Sequence, residues 1–296
     1  METRILGNTG CRVSVIGLGG AEIGFEREDT GDDRIELLLN SLLDNGSNYI
    51  DTAECYADSE ELIGMFIGHR RDEYFLATKI GHEVVAGAGP EWSIPQLEAT
   101  IDRGLKRLRT DSVDLLQLHT CSLDELKKGD VIEVLRRARD AGKTRFIGYS
   151  GDNEAAMYSV QCGAFDTLQT SFSLLDQGAR KGLLDEAKRR GVGVILKRPT
   201  SNAMLGADAP WSDYSKPYFE RAQAISWPDF RGLTPREISL RYTLAFPFAV
   251  MITGTRNPEH FLENIAIAEK GPLPADMIAE INAAFDAADP GWRTES

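Results

Sequence analysis

Four residues could together move a proton: Asp51, Tyr56, Lys79 and His119. A free phenol, with a pKa of ~10, is a poor proton donor or acceptor near neutrality. An ammonium held beside it stabilises the phenolate and lowers that pKa toward the working range. Lys79 supplies the ammonium, and Asp51, closing the run Asn48-Tyr49-Ile50-Asp51, supplies the carboxylate that anchors it. His119 can hydrogen-bond a substrate oxygen and place it against Tyr56. Proton transfer to a carbonyl oxygen is the reaction this set suits, and it requires a hydride source. Each residue alone has a duller reading: Asp51 as a cap, Tyr56 as a packing ring, Lys79 as a solvated strand end, His119 as a satisfied core histidine. No nucleophile sits with a base, and no metal-ligand spacing occurs. His69, His82 and His260 fall on loops and helices away from a common cluster, so no metal site is expected.

These side chains need a frame, and the chain supplies a repeating one. Residues 4–6 and 11–13 around Gly7-Asn8-Thr9-Gly10 predict a small hairpin. From Val15 onward, eight strand-then-helix units follow. The predicted strands are 15–20, 49–51, 74–79, 113–118, 144–149, 166–170, 192–196 and 248–252. The helices between and after them are 32–45, 59–67, 94–109, 130–142, 153–162, 178–190, 234–246 and 258–269, with a last helix at 274–287 and an irregular segment at 200–233. Alternating strands and helices with short connections imply parallel strands. Eight such units in about 250 residues is the usual size of a closed (β/α)₈ barrel. The competing dinucleotide fold finds little support. Gly17-Leu18-Gly19-Gly20-Ala21-Glu22 lacks the third glycine, and no helix is expected directly behind it. No linker divides the chain, so residues 1–296 read as one α/β barrel domain with an N-terminal hairpin plug and an extra C-terminal helix.

A barrel places its chemistry at the C-terminal ends of its strands. Those ends are Asp51, Lys79, His119, Ser150, Gln169, Lys197 with Arg198, and Gly254 followed by Arg256. Their joint placement on one face is far harder to dismiss than any one of them.

The bulk composition narrows the partners. The formal charge of -13, from 33 basic and 46 acidic residues, disfavours nucleic acid and anionic membranes. The N-terminal stretch carries no apolar signal core, and the run Leu244–Ile252 is too short to cross a membrane. Cys11, Cys55, Cys121 and Cys162 lack paired spacing, which favours reduced thiols and a cytoplasmic protein.

Over nearly its whole length the sequence resembles the aldo-keto reductase superfamily. The resemblance rests on Leu6–Gly10 with Val13-Ser14, Asp51–Tyr56, Thr78-Lys79, Leu118-His119 and Ile147–Ser150. Further on it rests on Gln169, Lys197-Arg198-Pro199 and Gly254-Thr255-Arg256 with Glu263-Asn264. It implies a (β/α)₈ barrel and reduction of an aldehyde or ketone by NAD(P)H bound extended, without a Rossmann domain. It also implies a catalytic tetrad of Asp51, Tyr56, Lys79 and His119, with Tyr56 the general acid. Gly20, Asp51, Ser150 and Gln169 would lie along the nicotinamide end, the latter two on the carboxamide. Gly254, Thr255, Arg256, His260, Glu263 and Asn264 would hold the adenosine phosphate end, where a helix N-terminus suits a phosphate in its own right.

The sequence departs from the family pattern in places. Lys197-Arg198-Pro199 stands where many members carry a stacking aromatic, and the two cations are expected on cofactor phosphates. Gly151, followed by Asp152, replaces the usual Asn. Gly254 stands where many members carry a Lys, and Arg256 with His260 is the substitute that keeps NADPH favoured over NADH. Candidates for the substrate wall are Ala21, Glu22, Cys55, His82, Trp92, Cys121, Trp211, Tyr214 and Trp227. The substrate is expected to be a small carbonyl compound, with the oligomeric state open. A nucleotide-sensing subunit of the same fold is the alternative to an enzyme.

Overall fold

Side chains alternate across a strand, so every second residue of a barrel strand faces the interior. In the computed structural model, which describes residues 1–25 and 27–295, this alternation sorts the strands into an apolar lower half and a polar upper rim. The hairpin consists of β1 (Thr3–Ile5) and β2 (Arg12–Ser14), antiparallel, joined through a single 3₁₀ turn. Eight parallel strands follow: β3 (Ile16–Gly19), β4 (Tyr49–Asp51), β5 (Phe75–Ile80), β6 (Val113–His119), β7 (Thr144–Ser150), β8 (Thr167–Ser171), β9 (Gly193–Lys197) and β10 (Val250–Gly254). They pair in sequence order, and β10 closes the ring between β9 and β3.

Tyr49, Phe75, Ala77, Leu115, Ile195, Val250 and Ile252 fill the barrel interior, with Leu6 and Val13 of the hairpin against them. Leu6 and Val13 are fully buried, each such burial contributing about 1.5–3 kcal/mol. One step further along the same inward faces, the residues turn polar. Asp51 follows Tyr49, Lys79 follows Ala77, and Gln117 and His119 follow Leu115. The barrel is therefore closed at one end by apolar packing and open to chemistry at the other.

Several features differ from the sequence expectation, among them the last strand, which runs Val250–Gly254, and the helix expected from 178, which starts at Leu183. A short helix, Ala21–Phe25, starts directly behind Gly20. Gly24 lets it pack this closely, since a Cβ there would stand 2.0 Å from the Tyr56 carbonyl. The irregular segment contains a helix, Lys216–Ala224, whose Tyr218 and Arg221 are buried toward Asp176. A further short helix, Leu123–Lys128, opens at a Ser122 cap. Among the described residues no helix is long and apolar enough to cross a membrane.

Candidate active site

The turn after β4 presents Tyr56 to the barrel rim. Thr52 donates its amide to the Ala77 carbonyl (2.9 Å) and its hydroxyl to Ser59 (2.8 Å). The Tyr56 amide bonds to the Ala53 carbonyl, and Ser59 closes the turn on the Tyr56 carbonyl. Arg103 and Arg107 clasp the outside of this turn through the carbonyls of Glu54 and Ala57.

Inside the rim, Lys79 Nζ donates to Asp51 Oδ2 at 2.5 Å and to the Thr52 carbonyl at 2.8 Å, and lies 3.5 Å from Tyr56 Oη. Asp51 and Lys79 are each 1% exposed. The other Asp51 oxygen accepts from Gln169 (2.7 Å) and Gln117 (3.2 Å), and Ser150 Oγ donates to Gln169 Oε1 at 2.8 Å. A buried carboxylate this well supplied with donors avoids the cost of an unpaired buried charge. The rings of Tyr56 and His119 meet edge to face, 5.7 Å apart. The structure thus brings all four tetrad candidates together, and adds Gln117. That residue was readable as a polar side chain two positions before His119 on the same strand face.

The electrostatics refine the expectation for Tyr56. Burial pushes its phenol up to about 12, and Lys79 offsets only part of that. The phenol is therefore protonated at neutral pH, a donor rather than a base. Burial opposes the charge on Lys79, yet the groups around it, Asp51 foremost, together more than compensate, and its pKa rises above the ordinary value. Burial lowers that of His119 against the opposing pull of Glu54, with the Lys79 charge adding to the lowering, and the imidazole stays neutral.

Asp51, Tyr56, His119, Ser150 and Gln169 line one cavity of about 560 Å³, whose outer wall includes Trp211 and Tyr214. Beyond Gly254 it adjoins a cavity of about 700 Å³ lined by Thr255, His260, Glu263 and Asn264. A third, with Arg256 and His260, lies alongside. Together they form a groove running from Tyr56 over the rim to the helix Pro258–Glu269. Asn264 Oδ1 is buried there without a hydrogen-bond partner. An orphaned acceptor in a polar groove fits a ligand carrying donors, as a dinucleotide does. Glu22 lies across the groove at Gly254, where a Cβ would stand 2.1 Å from its carboxylate; a side chain at position 254 would require the Glu22 carboxylate to move.

Some expected residues sit elsewhere. Gly20 does not line the cavity; its amide bonds to the Asp51 carbonyl, and Gly19 takes the lining position. Lys197 and Arg198 reach the cavity wall but are engaged within the protein. Lys197 pairs with Asp152 at 2.9 Å, while Arg198 bonds to Ser171 Oγ and the Glu295 carbonyl and stacks over Tyr214. Glu263 is paired with Arg236. Trp227 packs on Phe230, and Trp92 covers Gly81. His82, expected apart from the others, stands with its ring 4.9 Å from that of His119. The loop after β5 folds it back, a path that no local signal encodes.

A model of the aldo/keto reductase family matches residues 15–286. The chain is 28% identical to L-galactose dehydrogenase of Arabidopsis thaliana, over 97% of this chain and 95% of that protein. It is 27% identical to the aldo-keto reductase yakc of Schizosaccharomyces pombe, whose name specifies NADP(+), over 98% and 93% of the two chains. Its fold superposes on an aldo-keto reductase from Bacillus halodurans, solved in the holo form, with a TM-score of 0.80 over 96% of each chain at 24% identity. With this rim, this groove and a family match over most of its length, the chain belongs to the aldo/keto reductase family of oxidoreductases.

Proposed function

We propose that the chain reduces an aldehyde or ketone to an alcohol with NADPH, Tyr56 donating the proton. The observation that carries this reading is the Lys79 ammonium lying between Asp51 and the Tyr56 hydroxyl at the inner end of the cavity. Bound in the groove, NADPH supplies a hydride for the carbonyl carbon. Ser150 and Gln169 hold the nicotinamide carboxamide in this reading, supported by their shared position on the cavity wall. Asn264, Thr255, Arg256 and His260 hold the adenosine phosphate end, the two basic residues favouring NADPH over NADH.

The neutral His119 donates an N–H to the substrate oxygen and sets it against Tyr56. The Tyr56 O–H hydrogen-bonds the same oxygen and gives up its proton as negative charge develops there. Lys79 stabilises the phenolate left behind, and Asp51 keeps the ammonium charged and in place. In the reverse direction the phenolate is needed first, so alcohol oxidation favours higher pH.

The similarity to L-galactose dehydrogenase and the polar wall at Arg198 and Asn202 commend hydroxylated and sugar carbonyls as the first substrates to try. The test is titration with NADPH and NADH, followed by tryptophan quenching, and then a broad carbonyl panel. NADPH oxidation with at least one aldehyde or ketone is expected. Tight NADPH binding without turnover on any of them would instead favour a nucleotide-sensing protein.

A further inference from the structure

We infer that Glu54, Cys55, His82 and His119 form a binding site for one borderline-soft divalent cation such as Zn²⁺, placed against the catalytic pocket. One ligand-type atom from each residue lies within 4.8 Å of all the others. His119 Nδ1 is 3.6 Å from Cys55 Sγ and 3.6 Å from Glu54 Oε2. Metal–ligand bonds of ~2.0–2.3 Å in a tetrahedron put neighbouring ligand atoms about 3.3–3.8 Å apart. These two separations already match that spacing, and only the remainder of the cluster must contract.

Two further observations point to a ligand. Glu54 is 2% exposed, and its Oε2, facing His119, accepts no hydrogen bond among the described residues. A buried acceptor whose partner, His119 Nδ1, stands 3.6 Å away is held too loosely for a good hydrogen bond, and a cation between the two would satisfy both. Its other oxygen accepts the His82 amide at 3.1 Å, which fixes the carboxylate and the start of the loop relative to each other. On the outer side, Glu91 Oε1 lies 3.1 Å from His82 Nδ1. With the proton on Nδ1, that contact leaves the Nε2 lone pair for a metal, the arrangement common behind histidine ligands. One thiolate, two imidazoles and one carboxylate are a donor set for Zn²⁺ or Co²⁺ rather than for Mg²⁺ or Ca²⁺.

The site shares His119 with the tetrad. A cation on Nδ1 ties the imidazole to Cys55 and His82 and adds positive charge at the cavity's edge. The ring proton then stays on Nε2, but contraction of the cluster draws the imidazole toward Cys55 and His82 and its N–H away from the substrate oxygen, so a bound cation slows reduction. The binding claim stands independently of the proposed reaction, because its readout needs no substrate.

The experiment is titration of the chelator-treated protein with Co²⁺, followed by absorption, then back-titration with Zn²⁺. One equivalent is expected to raise a thiolate-to-cobalt charge-transfer band that Zn²⁺ abolishes. Cys55→Ser removes the band, and His82→Ala weakens Zn²⁺ binding by at least about tenfold, the loss that even outer partners of a metal produce. Cys11→Ser and Cys162→Ser, altering thiols remote from the cluster, leave the band intact. In carbonyl reduction, Zn²⁺ inhibits at the concentration that fills the site, each variant being compared with its own metal-free rate. No charge-transfer band, or a band that survives Cys55→Ser, overturns the site. An unchanged rate at full occupancy overturns the coupling to His119.

Discussion

Two lysines stand at the upper ends of barrel strands, each paired with a buried aspartate, and their environments drive them in opposite directions. Lys79 lies 2.5 Å from Asp51 and Lys197 lies 2.9 Å from Asp152. Burial opposes the charge on both. Lys79 nevertheless ends above its ordinary pKa, because Asp51, Tyr56 and Glu54 all favour the ammonium. Lys197, with its side chain 13% exposed against 1% for Lys79, ends below its ordinary value. Asp152 supports it, but Arg198 and Lys79 itself repel it, and Asp152 divides its oxygens among Thr170, Ser171 and Lys197. The surrounding charges, and not the depth of burial, decide whether a buried lysine holds its proton. Of the two lysines, only Lys79 stands beside the Tyr56 phenol.

The comparison breaks most visibly at Tyr56. Tyr56→Phe lowers carbonyl turnover by about 10²–10⁴-fold, the usual worth of a positioned general acid, while NADPH still quenches tryptophan fluorescence. Turnover near that of the unaltered protein in this variant would remove Tyr56 from the chemistry.

Thermal denaturation sharpens the contrast between the two pairs. Asp51→Ala strands a buried ammonium that strongly retains its charge, and a loss of about 3–5 kcal/mol is expected from breaking such a pair. Asp152→Ala costs less, because Lys197 can give up its proton when its partner goes. Equal losses would mean that the two lysines are held alike.

The sequence made one side of this contrast readable and hid the other. Asp51, Lys79 and His119 each close an apolar run, so a period of two and a barrel polarity suffice to put them on one rim. Tyr56 follows from its fixed distance to Asp51 across a single turn. Lys197 was visible as a strand end, but its partner Asp152 lies on another strand's following loop, and only the closed ring brings β7, β8 and β9 side by side. Both cations of Lys197-Arg198 therefore looked available for phosphates. His82 was named as a wall candidate, but its contact with His119 escaped for a related reason: it depends on the path of the loop 81–93. The helix Lys216–Ala224 was lost in an aromatic-rich stretch whose period is set by what it covers.

A smaller effect is expected at the groove. Glu22 lies against Gly254, on the route from the tetrad cavity to the Arg256 rim. Removing its negative charge favours a bound pyrophosphate, so Glu22→Gln tightens NADPH binding by a few-fold, about what 0.5–1 kcal/mol of partly screened charge interaction gives. Weaker binding in that variant would mean that Glu22 holds the dinucleotide rather than opposing it.

The claim that Lys79, and not Lys197, is the cation that tunes Tyr56 is tested most directly by the pH profile of alcohol oxidation at saturating cofactor, in the unaltered protein, Lys79→Met and Lys197→Met. Oxidation uses the phenolate, and burial holds the phenol near 12, so the rate rises about tenfold per pH unit toward the alkaline limit. Reduction, which uses the protonated phenol, stays level over the same range. Lys79→Met moves the oxidation profile to still higher pH, because the ammonium that favours phenolate is gone. Lys197→Met leaves its position unchanged. A profile that shifts with Lys197 and not with Lys79 would contradict the assignment of the proton donor and its tuning cation.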